Sequence, residues 1–149
     1  MSDAKNVVRR LEEAWAADDL ATVDELLAPD LVSHDAPPGM PPGSEGAKAA
    51  HQMSMASFPD RRMTIEDVVA DGDRVAVRTT MRGTNTGGVP WIGVPANGAA
   101  VEIESISVYR VRDGRVVEHW GQNDVGRLMM QLGTASPMPA PAGLAGATG

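Results

Sequence analysis

The sequence contains no cysteine. Disulfides, thiolate metal sites and cysteine nucleophiles are therefore excluded, and a cytoplasmic location is the default expectation. Aromatic residues are also few, at 3% of the chain: three tryptophans, Tyr109 and Phe58. Nine methionines supply much of the missing bulk, and a thioether chain fills irregular apolar space. Basic residues are outnumbered, 13 against 20 acidic, giving a formal net charge of −7. A chain of that balance lacks the basic stripe that nucleic acid or an anionic membrane requires. No stretch approaches the roughly eighteen uninterrupted apolar residues of a membrane span. The N-terminal "MSDAKNVVRRLEEAW" places charges where a secretory signal carries an apolar core. The three histidines show neither HxH nor HExxH spacing, so no metal site is expected.

What is present reads as one globular domain. The 149 residues are 42% hydrophobic and 22% charged, enough to bury a real core. Val7, Val8, Leu11 and Trp15 follow helical spacing, with Ser2 or Asp3 available as the N-cap. A second short helix is predicted over about 20–27, closed by Pro29. "DLVSHDAPPGMPPGSEG" then gives a short extended piece and a Pro/Gly loop, and Ser44 is the expected cap of a third helix running to about Ser57. From residue 61 the pattern alternates. Val75, Val77, Thr79 and Met81 share one face of a strand, with Arg74, Arg78 and Arg82 on the other. Hairpin turns fall at "DGD" and at Asp113-Gly114, a Gly/Pro excursion surrounds Trp91, and a last helix spans about 125–132. Residues 134–149 are Pro/Ala/Gly-rich with almost nothing to bury, and are expected to be disordered. Helices, then antiparallel strands, then a short helix make an α+β pattern, a sheet curled around its helices with room for a pocket.

"GTNTGG", "WIGVPANG", the hairpin "YRVRDGRVVEHW" and the closing "D...LMMQLG" together resemble the SnoaL-like polyketide cyclase family. The resemblance covers about residues 3–133, and "VSHDAPPGMPPGSEG" and "FPDRRMTIEDVVADGDRVAVR" fit its earlier segments. It implies the cone-shaped α+β barrel of the nuclear transport factor 2-like superfamily, a curved antiparallel or mixed sheet wrapped around N-terminal helices with an internal cavity. It further implies cofactor-free ring closure by intramolecular aldol condensation, an aspartate at the start of the last helix as acid/base, and pairing of two copies through the sheet. On this chain that aspartate is Asp124.

Trp120, Gln122 and Asp124 lie at i, i+2 and i+4, so a strand puts them on one face; His119, Gly121 and Asn123 take the other. If the first set faces the cavity, an indole, an amide and a carboxylate converge there. Apolar surroundings would then raise the carboxylate's proton affinity, as an acid/base requires. The competing reading makes Asp124 the N-cap of the last helix, a role that Asn123 could also fill. His34, beside Asp35, is a candidate proton-transfer partner or carbonyl donor, or a loop histidine bonded to its neighbour. His51 reads as a satisfied, partly buried helix residue, and His119 as outward or helix-covered, paired with Glu118 or an arginine. Trp91, Met53, Met55, Met81 and Met129 are expected to help shape an apolar cavity for a carbonyl-bearing substrate, with Trp91 as a lid or a subunit contact. An enzymatic cyclase or isomerase stands against a non-catalytic small-molecule-binding or dimeric accessory protein of the same fold. An epoxide hydrolase is disfavoured, because Asp124 and Arg110 lack a second inward aspartate.

Overall fold

The computed structural model describes residues 3–134. The Ser2 cap and the expected disorder of the Pro/Ala/Gly tail lie outside those residues, apart from Thr134. Within them the chain runs α1 (Asp3–Ala16), α2 (Leu20–Leu26), β1 (Leu27–Ser33), α3 (Gly43–Ser57), β2 (Arg62–Asp71), β3 (Arg74–Thr84), a single 3₁₀ turn at Pro90–Ile92, β4 (Ala100–Arg112), β5 (Arg115–Asn123) and α4 (Val125–Gln131). The five strands form one open, curved sheet in the order β1-β5-β4-β3-β2, with β1 parallel to β5 and every other pair antiparallel. This is the α+β fold anticipated from the sequence.

Two expected boundaries move. Leu27 leaves α2 directly into a strand that includes Pro29, so the extended piece is longer than "DLVSH". A proline is tolerated there because β1 is an edge strand. Helix α3 begins one residue before Ser44, with Pro42 in the N-cap position and no side-chain cap bond. Proline's fixed φ suits a helix entrance, and Ser44 is buried instead of capping.

Helix α1 lies across the concave side of the sheet, touching β2, β3, β4 and β5. Its stripe of Ala4, Val8 and Leu11 packs with Val23 and Leu26 of α2 against Val75, Val77, Tyr109, Val111 and Val116. A second apolar cluster closes the other end, where Leu128 and Leu132 meet Phe58, Met81, Val101 and Ile103. The Gly/Pro excursion folds back through fully buried Asn85, whose amide nitrogen donates to Pro95 O and Asn97 Oδ1 at 3.0 Å each.

The β4–β5 hairpin holds the decisive irregularity. Its turn has Asp113 at φ 51° and Gly114 at φ 76°, the doubly left-handed backbone of a type I′ turn. From that turn the ladder starts as Arg112↔Arg115 and Val111↔Val116. It then skips Val117, and continues as Arg110↔Glu118 and Tyr109↔His119. Val117 is the extra residue of a β-bulge. A bulge shifts every later residue of its strand by one, and since the side-chain period is two, it exchanges the faces.

Candidate active site

The concave face opens into a cavity of about 880 Å³, within the range that accepts an organic ligand of drug size. Its walls come from α1, β1, the Pro/Gly loop, α3 and the middle of the sheet. The strands build the floor in cross-strand rows. His119, Tyr109 and Val75 form one row, Gly121, Ser107 and Val77 the next, and Asn123, Ser105 and Thr79 the third.

Of the two interleaved sets on β5, His119, Gly121 and Asn123 therefore face the cavity. Trp120 and Gln122 face the convex side, because the Val117 bulge reverses the alternation that begins with inward Val116. The Trp120 indole is covered there by the His34 ring, stacked at 4.9 Å with planes 5° apart, and by the Arg74 guanidinium 5.3 Å from its centroid. The same shift applies one strand over. Beyond β1 the alternation turns Asp35 inward and His34 outward, where His34 Nε2 lies 2.8 Å from Glu118 Oε2. His34 does not bond Asp35 and does not line the cavity. Glu118 is shared with Arg110, at 2.9 Å.

Asp124 is the cap. Its Oδ1 accepts the Arg127 N–H at 3.1 Å, and its side chain is solvent-exposed at the N-terminus of α4. Beyond Asn123 the strand has ended, so the i, i+4 relation to Trp120 no longer fixes a common face. The apolar candidates move too. Helix α3 presents Ala47, Ala50, His51 and Ser54 to the cavity, a stripe at i, i+3, i+4 and i+7, which turns Met53 and Met55 away. Met81 is buried in the second cluster, half-buried Met129 sits on α4 and does not line the cavity, and Trp91 is 49% exposed on the 3₁₀ turn. The cavity's methionines are Met40 and Met63.

Two polar constellations remain inside. In the first, Asp35 Oδ1 lies 2.9 Å from His119 Nδ1, and the Ser33 hydroxyl donates to the same oxygen at 2.9 Å. Burial would raise the Asp35 pKa, but the hydrogen bond and charge of His119, with Ser33, outweigh it and hold the carboxyl below its ordinary value. An ionised Asp35 only accepts, so the imidazole proton sits on Nδ1. In the neutral ring Nε2 is then the accepting nitrogen, and the Ser107 hydroxyl lies within hydrogen-bond distance of it at 3.1 Å. Gly121 makes this possible. A Cβ there would stand 2.4 Å from Asp35 Oδ2 and 3.0 Å from His119 Cε1. A glycine inside a strand is a signal of such close approach.

Beside this pair the Tyr109 hydroxyl donates to Glu12 Oε1, and the Tyr109 and His119 rings lie 4.8 Å apart. Glu12 projects from the apolar stripe of α1 and is only 7% exposed. Burial raises its pKa, against the lowering effects of Tyr109, His119 and Arg61. Burial, followed by the neighbouring Glu12, pushes the Tyr109 phenol well above its usual value. The sequence offered one sign of Glu12: an acid on a stripe of Val8, Leu11 and Trp15. In the second constellation His51 is 7% exposed, as its helical position suggested, and its Nε2 lies 2.7 Å from Asp18 Oδ1.

The family model of the SnoaL-like polyketide cyclases matches residues 5–132. Among solved structures, the chain is similar to IdmH of Streptomyces antibioticus, provisionally described as a polyketide cyclase. They share 40% identity over 88% of this chain and 99% of that one, with a TM-score of 0.75. TsrD of Streptomyces laurentii is 26% identical over 89% of this chain and 96% of its own, with a TM-score of 0.79. AclR of Streptomyces galilaeus, provisionally described as a hydroxylase, is 28% identical over 93% of this chain and 90% of its own, with a TM-score of 0.76. No curated protein matches. No helix among the described residues is long and apolar enough to cross a membrane.

Proposed function

The chain belongs to the SnoaL-like polyketide cyclase family, and on that premise we propose that it closes a ring in, or isomerises, a polyketide-like carbonyl substrate by cofactor-independent proton transfer. His119 is the base and Asp35 its orienting partner. The observation that carries this reading is the 2.9 Å contact between Asp35 Oδ1 and His119 Nδ1 inside an 880 Å³ cavity. With Nδ1–H turned to Asp35, Nε2 is the unprotonated nitrogen, and it accepts a proton from a carbon alpha to a carbonyl once the substrate displaces the Ser107 hydroxyl from it.

The electron pair from that C–H bond moves onto the carbonyl oxygen. In this scheme Glu12 enters protonated, the form that burial favours, and donates a hydrogen bond to the enolate oxygen, while the Tyr109 O–H is given to Glu12 Oε1. The enolate carbon adds to a second carbonyl of the same molecule, and the new alkoxide takes its proton from the His119 imidazolium. One C–H bond and the π bond of the second carbonyl break, one C–C and one O–H bond form, and no outside reagent is needed. Asp124 has no part in these steps, since its carboxylate caps α4 outside the cavity.

Deuterium exchange alpha to the carbonyl of a bicyclic β-keto ester, followed by NMR, tests the proposal. His119→Gln should slow exchange by about a hundredfold or more, the usual share of a general base, while Asp124→Asn stays within about twofold of wild type. Equal rates in wild type and His119→Gln would end it.

Pairing of two copies through the sheet belongs to the same proposal. What supports it is an apolar cross-strand row on the convex face, Val69, Ala76 and Val108, with Ile106 beside it. Val69 is 65% and Ile106 54% exposed, and an open apolar patch is a recognised sign of an interface.

A further inference from the structure

The proton-transfer scheme leaves the cavity's arginine unused. Arg61 stands just before β2, half-buried in the cavity wall. Its Nη1 donates to Ser54 Oγ at 3.0 Å, and its Nη2 donates to Trp15 O at 3.5 Å and to His51 Nδ1 at 3.0 Å. A guanidinium can only donate, so His51 Nδ1 carries no proton. The single imidazole proton is then on Nε2 and is given to Asp18 Oδ1 at 2.7 Å. Burial, with the nearby Arg61 charge, lowers the His51 pKa against the opposing pull of Asp18, in keeping with a neutral ring.

Arg61 is thus bonded to a hydroxyl, a carbonyl and a neutral imidazole. Among the described residues it makes no ion pair within 4.0 Å; Asp18, the acid of its network, is held off by the width of the His51 ring. Glu12 acts on it only through space, and that carboxyl is bonded to Tyr109. A partly buried cation whose hydrogen-bond partners are all uncharged keeps much of its attraction for a counter-ion. The three bonds also leave two of the guanidinium's five N–H groups for a ligand.

We propose that Arg61, held by Ser54 and His51, is an anion subsite that takes the carboxylate of an organic acid. The substrate is then a carbonyl compound that also bears a free carboxylate. This rests on the cavity being the substrate site, but not on the chemistry of His119.

Calorimetric titration with 2-naphthoate and methyl 2-naphthoate, at low salt, tests it without need of the natural substrate. Wild type should bind the acid at least about tenfold more tightly than the ester. Arg61→Met should abolish that preference, and Arg61→Lys should keep part of it. An ester bound as tightly as the acid, or a preference that survives Arg61→Met, overturns the subsite. His119→Gln should retain the acid preference. If it retains both that preference and wild-type exchange, the proton-transfer reading falls and the subsite stands.

Discussion

The two faces of β5 are built from neighbouring residues and do opposite things. On the concave face, His119 pairs with an ionised carboxylate, shares a hydrogen bond with a hydroxyl and rests against a buried phenol ring, beside an open cavity. On the convex face, Trp120 stacks with His34 and meets the Arg74 guanidinium, and Glu118 is shared between His34 and Arg110. Both faces carry a histidine, a carboxylate and an aromatic ring. The concave set borders a cavity and its carboxylate orients one ring nitrogen; the convex set is an ion-pair network of similar burial that borders none. Residue type and burial alone do not make a site; an unfilled volume does.

The largest way to break that contrast is at Gly121. Gly121→Ala puts a methyl group into the space of the Asp35 carboxylate, so exchange activity should fall by about a hundredfold, as when the base itself is lost. Gln122→Ala, the next residue but on the other face, should leave activity within about twofold. Similar losses in both variants would erase the distinction between the faces. A smaller effect is expected from Ile106→Asp, which charges the convex row. Light scattering should report one copy for the variant against two for wild type, with exchange unchanged; a wild-type monomer would refute pairing through the sheet. Asp124→Ala should do least, removing a helix cap for about 1 kcal/mol of stability in a denaturant melt. A collapse of activity in that variant, with the fold intact, would return Asp124 to the chemistry.

Much of the fold could be read in advance, because the cues are local. The stripe of Val8, Leu11 and Trp15, the alternation of Val75 to Met81, and the Asp113-Gly114 turn each specify an element from nearby residues. The site was half legible. The division of "HWGQN" into two interleaved sets was sound, and so was a buried, satisfied His51. The choice of set failed, as did His34 against Asp35, by a single residue on each strand. Glu12 was missed because Tyr109 lies far away in sequence, and Arg61 because the turn after α3, with no helix or strand period of its own, brings it back against Ser54 and His51.

The sequence by itself determined which residues travel together: strand period, helix stripe, turn and cap chemistry are properties of a few consecutive residues. Which of those groups faces the cavity was decided by tertiary structure. Along β5 the period is interrupted at Val117, and a bulge exists only as a mismatch between two paired strands. The partners of His119 come from β1's exit, from β4 and, through Tyr109, from α1. Pairing across those distances depends on register, and register is fixed when the concave face is buried against the helices.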